Sequence, residues 1–341
     1  MTDTRHDWPL TGDPDASVGA RHHHLPRFYQ ERFANDRQQI ASVERRTGAR
    51  RITAIRDTAA EKDFYTAVNM DGVKDGKTEH LLTHIEGNAA RAIRHILNPV
   101  FNLLPPQPQD RADLCLFLAF QKVRGKLTRK RIELLGDLYA HVRIPGDMTA
   151  EDAAAWLEAN GQAVTPESVR DLVELSAGMG DLEFKPDPNG HLGIMGGLAL
   201  RISELLLPRR WWVAEYDSPA LLTSDEPVGL HFRHRSRPPG HGYGIAYADE
   251  IWFPLDPHRL LVMGRPDDPL PEQRLRVPAE TAATVNLTIA GGAIYMHPEQ
   301  DHLQGLRLPD PGPVLRVDGQ LPIDFGRYNQ PVADTRTQRR K

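Results

Sequence analysis

The chain has 341 residues, 40% of them hydrophobic and 26% charged, with a formal net charge of -4. This length can bury a full core and fits one large domain or two intimate ones. The slightly acidic balance excludes general electrostatic attraction to nucleic acid or anionic membrane and leaves only local basic patches for such partners. A single cysteine, Cys115, excludes an intramolecular disulfide framework and a cysteine-rich zinc site.

Residues 1–20 carry Asp, Thr, Gly and Pro without periodicity and read as a lead-in with no apolar signal region. No run approaches the roughly 20 apolar residues of a membrane span, so the expected setting is cytoplasmic, without membrane. The segment His22 to Phe33 follows, crowding imidazoles, guanidiniums and aromatics together. Pro26 biases His24 and Leu25 toward extended backbone and predicts a helix start near Pro26 or Arg27. On that helix Arg27 and Glu31 share one stripe, and Tyr29 and Phe33 a neighbouring one.

Gln39 to Val43 and Arg51 to Ile55 alternate weakly around Gly48 and predict a hairpin. From Glu79 the period becomes helical: Leu82, Ile85, Ala89, Ala92 and Ile96 recur on one face until Pro99. Asp110 is a plausible N-cap region for a second, nearly all-apolar helix over Ala112 to Val123, which contains Cys115, read as a small core residue. Further helices are expected at 129–141, 149–160 and 166–177, the last opened by Thr165-Pro166.

Around Trp211 the pattern turns to short strands: Trp211–Ala214, Leu221–Thr223, Val228–Phe232, Glu250–Phe253 and Leu260–Met263. Ala279 to Ala290 reads as a helix and Ala293 to Met296 as a last strand, before a Pro-, Asp- and Arg-rich tail over 308–341. The expected architecture is α+β, a helical bundle packed with a mainly antiparallel sheet in one core, as a single domain over 21–307.

Several residues suit chemistry. The adjacent imidazoles of His22, His23 and His24 seldom converge on one metal, and no HExxH spacing accompanies them. His80 and His84 share a helix face but lie beside the apolar stripe of Leu82 and Ile85 and read as exposed polar positions. Gln121 and Arg124 share a face at the end of the apolar helix. A guanidinium there needs a carboxylate, a carbonyl cluster or an anionic ligand, and Glu86 is a candidate partner. The basic run from Lys122 to Arg131 is spread around the helix and has no interleaved aromatics, so it reads as a solvated face before a nucleic-acid groove. Asp225, in Thr223-Ser224-Asp225-Glu226-Pro227, leaves a strand as either an acid/base group or an ordinary turn residue. No phosphate loop, dinucleotide fingerprint, kinase motif set or GxSxG elbow is present, and the glycine-rich Gly190 to Gly197 lacks dinucleotide spacing.

In order, the chain carries His24-x-Pro26-Arg27-Phe28-Tyr29 with Phe33, then Ala60-Glu61-Lys62-Asp63-Phe64-Tyr65, then Ile85-Glu86-Gly87. Phe120-Gln121-x-x-Arg124, Thr223-Ser224-Asp225-x-Pro227, Phe253-Pro254-Leu255 and Val285-Asn286 complete the series. This succession resembles a bacterial family known as domain of unknown function 4238. The likeness departs from the family pattern at Gly125-Lys126, where Thr-Pro is usual, and at Glu226, where Asn is usual. It implies a shared fold and strengthens the choice of residues more than the choice of reaction.

The expected function is therefore a hydrolase or transferase acting on a phosphate-containing or nucleic-acid substrate. His24 and Asp225 are the acid/base candidates, Arg27 and Arg124 the anion anchors, and Glu86 and Gln121 the positioning groups. The alternative is a non-catalytic interaction or ligand-sensing protein, in a setting such as bacterial stress or phage defence, with the same residues forming a buried network. No motif designates a cofactor or a metal, and the oligomeric state is left open.

Overall fold

The strands around Trp211 are apolar on both faces, and this decides how the layers stack. In the computed structural model, residues 21–68, 73–98, 100, 104–183, 188–233 and 244–300 are described. The lead-in 1–20 and the tail 308–341 lie outside the described residues. The chain divides into two compact units, one holding 21–128 and 188–300 of the described residues and the other 129–183.

The first unit opens with β1 (Arg21–His23) and the single turn α1 (Arg27–Gln30), which tightens into a 3-10 turn over Glu31–Phe33. Pro26 stands at the N-cap of α1, as its fixed φ suggests. The expected aromatic pair forms, with the Tyr29 and Phe33 rings 5.5 Å apart. The hairpin comprises β2 (Gln39–Glu44) and β3 (Arg50–Ala54), turned by Gly48 at φ +68°. Next come β4 (Ala60–Lys62), paired antiparallel with β1, and the short pair β5 (Ala67–Val68) and β6 (Lys74–Asp75).

Helix α2 (Lys77–Leu97) buries Leu82, Ile85, Ala89, Ala92, Ile93 and Ile96, the stripe its spacing predicts. Helix α3 (Pro108–Val123) packs beside it, fully burying Leu114, Cys115, Phe117 and Leu118 and ending at Arg124. Helix α4 (Lys126–Arg143) follows at once. In the second unit, α5 (Ala150–Ala159) and α6 (Pro166–Gly178) each begin in a capping box, on Thr149 with Asp152 and on Thr165 with Ser168. They close over a small cluster of Met148, Ala153, Leu157 and Leu172.

Back in the first unit, α7 (Pro188–Leu206) absorbs the glycine-rich segment into a helix that packs on α3, so it is not a loop. The strands are β7 (Arg210–Glu215), β8 (Thr223–Ser224), β9 (Gly229–His231), β10 (Glu250–Asp256), β11 (Arg259–Gly264) and β12 (Arg274–Arg276). Helix α8 (Thr281–Ile289) and β13 (Ala293–Met296) complete the unit.

One sheet runs β12-β7-β11-β10-β9 and is antiparallel except for the parallel β12–β7 edge. Its alternate residues enter two clusters: Trp211, Val213, Phe253, Leu261 and Met263 face the same apolar mass as α2 and α3. Trp212, Ala214, Trp252, Leu260 and Val262 join Ala282, Val285, Ile289, Ile294 and Met296 instead. A second sheet, β3-β2-β13-β8, ties the N-terminal hairpin to the last strand. The architecture is α+β. None of the described helices is long and apolar enough to cross a membrane.

Candidate functional site

The end of α3 carries the strongest polar signal. The side chain of Arg124 is 1% exposed, and a guanidinium that deep must have its charge met. Glu86, presented by α2, accepts a hydrogen bond from Nη1 at 2.7 Å. With its amide carbonyl turned toward the guanidinium, Gln121 accepts from Nε at 2.6 Å and also from Nη2. Burial works against the Arg124 charge, but Glu86 and its neighbours outweigh it and hold the group above its ordinary pKa.

Two residues that local pattern did not single out complete this cluster. Glu79 lies two turns before Glu86 on α2 and so presents the same face. Burial raises its carboxyl above the usual range and Glu86 adds to the shift, while His22 and Arg124 oppose it. His22, fully buried on β1, accepts the main-chain N–H of Tyr65 at Nδ1 (2.9 Å), which puts a ring proton on Nε2. The two rings stack at 5.9 Å, and the Tyr65 hydroxyl donates to the Arg124 carbonyl at 3.3 Å. The Glu79 to Glu86 spacing was the available signal for the first. Nothing local marked His22, because its role depends on where β4 brings Tyr65.

Asp225 reaches this region through the main chain. A Cβ on Gly125 would lie 3.5 Å from the Asp225 carbonyl and 3.8 Å from Cγ of Glu226, so the Arg124-Gly125 corner sits on the Asp225 turn. Lys122 fastens the same corner, donating to the Val228 carbonyl at 3.1 Å. The Asp225 carboxyl itself turns toward the loop before β13, accepting the Ala293 N–H at 3.1 Å. A Cβ on Gly291 would fall 2.0 Å from Asp225 Oδ1, so only glycine lets that loop close on the carboxyl. Burial, then the nearby Glu226, lifts Asp225 to about 7, against the main-chain hydrogen bonds. Ser224 completes the turn, donating to the Ile289 carbonyl and accepting the Glu226 N–H at 3.0 Å.

The other expected site residues stand differently. His24 is buried, its ring 6.1 Å from that of Phe64, and its main-chain N–H is bonded to the Ala59 carbonyl. Arg27 is exposed at the start of α1, where its charge acts on His23. Glu86, Gln121 and Arg124 thus meet directly and Asp225 adjoins them, whereas His24 and Arg27 are not among the partners of Arg124. The basic run is largely committed within the protein: Lys126 pairs with Glu61 at 2.6 Å, and Arg129 and Lys130 approach Glu133. His84 is exposed, His80 half-buried, and Cys115 wholly buried with its thiol pushed up to about 12 by burial. Among the described residues, no group of three or more His, Cys, Asp or Glu could hold a metal ion.

The motifs that meet around Arg124 are those whose order marks a family. The sequence pattern of the family described as Protein of unknown function (DUF4238) matches residues 21–295. The chain belongs to this family. No curated protein and no solved structure matches the chain. Within the family match fall every member of the Arg124 cluster, the Asp225 turn and the Gly291-Gly292 loop that receives it.

Proposed function

We propose that the chain is a hydrolase or transferase that works by carboxyl acid–base chemistry at the half-open edge of the Arg124 cluster. The observation that carries this reading is the contrast in exposure across one ion pair: the Arg124 side chain is 1% exposed and that of Glu86 is 24% exposed. A fully buried cation thus holds a carboxylate that solvent and substrate can reach. Glu79, whose carboxyl is raised by burial on the same helix face, is the candidate acid beside it. In this assignment the Glu79 carboxyl gives a proton to the leaving atom, and Glu86 takes one from the attacking water or acceptor hydroxyl.

The donors of Arg124 are engaged by Glu86 and Gln121. Arg124 therefore acts here as a positioning group. An uncharged ester, amide or glycosidic bond suits this edge better than a phosphate laid against the arginine. The test is turnover of a panel of chromogenic esters, amides, glycosides and phosphodiesters by the full chain. Turnover falling by about 10²-fold or more in Glu79→Gln, with an unchanged melting temperature, is the expected result. Full turnover in that variant overturns the assignment.

The second reading is a non-catalytic protein in which the cluster ties α2, α3 and β1 together. The burial of Gln121 and of His22 favours it. Parallel loss of stability and of any cellular phenotype across Glu79, Glu86 and Arg124 variants is its signature.

A further inference from the structure

Helix α7 is apolar almost all the way round. Met195, Ala199 and Leu206 form its buried row and belong to the same apolar mass as α3, on which the helix packs. With about 3.6 residues per turn, Arg201 and Glu204 point away from that row. Leu198 and Leu205 stand on one flank of this charged pair, and Leu200 and Leu207 stand on the other. The four leucines are 38–50% exposed. A helix that is apolar on the side away from its own core is ordinarily covered there as well. Arg201 and Glu204 are exposed, and neither side chain has a partner among the described residues, although they lie three residues apart on one face. Beside them the backbone is bare: a Cβ on Gly193 or Gly197 would meet nothing within 4 Å, so a second backbone can approach closely.

We infer that this face of α7 binds the same face of a second copy of the chain, with the two helices antiparallel about a two-fold axis. The charges select both the occupant and the direction. In an antiparallel pair centred between Ile202 and Ser203, Arg201 of each copy stands level with Glu204 of the other, and two reciprocal ion pairs run down the middle of the contact. Leu198 then meets the partner's Leu205 along one edge, and Leu200 meets the partner's Leu207 along the other, so each exposed leucine is covered. A parallel pair would set Arg201 against Arg201 and Glu204 against Glu204, which repel. The balanced charge also favours a second copy over an anionic lipid surface, which takes a helix whose polar face is rich in Lys and Arg. The face uses no residue of the Glu79–Glu86–Arg124 cluster, so it stands or falls apart from the acid–base reading.

The experiment is sedimentation equilibrium of the full chain over a concentration series reaching the high micromolar range. A monomer–dimer equilibrium is expected, abolished by Leu198→Glu and weakened about tenfold by Arg201→Glu or by Glu204→Arg alone. An equimolar mixture of those two charge variants restores both reciprocal pairs and associates like the parent chain, as does the doubly exchanged Arg201→Glu with Glu204→Arg. All these positions are exposed, and an unchanged melting temperature checks that each variant keeps the fold. A chain that stays monomeric throughout, or a dimer that Leu198→Glu and the single charge variants leave intact, overturns the surface. Failure of the doubly exchanged chain to recover overturns the antiparallel pairing. Binding of the parent chain to phosphatidylglycerol vesicles without any dimer in solution also overturns it, by giving the face to lipid.

Discussion

Nη1 of Arg124 lies 2.7 Å from Oε1 of Glu86, joining the end of α3 to the middle of α2. Removing either partner alone leaves the other at a desolvated site. Glu86→Ala is expected to lower the unfolding free energy by about 3 kcal/mol, toward the low end for a broken buried pair because Glu86 is partly solvated. Replacing both as Glu86→Leu with Arg124→Met should recover most of that loss. Urea denaturation of the two variants measures both effects.

Asp225 supplies a pH dependence whose sign follows from its raised carboxyl. Folding lifts it to about 7, whereas an unfolded aspartate titrates near about 4. Between these values the folded state binds more protons than the unfolded state, so stability falls as pH rises. The slope is about 1.4 kcal/mol per pH unit across the window. Asp225→Asn, which mimics the protonated group, should flatten this limb. Urea midpoints of both proteins at pH 5 and pH 8 decide it, and equal slopes in the two would remove Asp225 as the cause.

Gly291→Ala places a Cβ 2.0 Å from Asp225 Oδ1 and 3.1 Å from the Glu226 main-chain nitrogen. The loop has to move off the Asp225 turn, at a cost of about 1–3 kcal/mol. If Asp225 owes its raised carboxyl to this enclosure, the same variant also weakens the pH dependence. Thermal unfolding at two pH values reads both consequences from one protein.

Tyr29→Phe removes one hydroxyl that serves both Thr223 Oγ1 and the Pro254 carbonyl in the core. The shape of the ring is kept, including its stacking at 4.8 Å on Phe253. Two buried polar groups lose a partner, and a destabilisation of about 1–3 kcal/mol is expected. A melting temperature equal to that of the parent chain would show that Thr223 and Pro254 find other partners.

Much of the helical frame is legible from local sequence. The stripe from Leu82 to Ile96 and the caps at Thr149 and Thr165 act over a few residues, and hydrogen bonds within a helix close over the same distance. The Arg124–Glu86 pair was also within reach of sequence, because a guanidinium emerging from so apolar a helix must find a carboxylate. Position along the chain could not say that His22 would support Tyr65, or that Arg27 would remain outside the cluster. The opening histidine segment contributes its first imidazole to the site through β1.

The sequence by itself determined the alternation of apolar and polar faces, the approximate place of most helices though not α7, the hairpin around Gly48 and the ordered motifs that mark the family. Only the tertiary structure decided that β13 would join the hairpin strand β2 and that the Gly291–Ala293 loop would enclose Asp225. The reason is range. Periodicity and capping are satisfied between near neighbours, whereas these contacts join segments far apart in the chain, and which groups meet is set by how the sheet and helices bury their apolar faces.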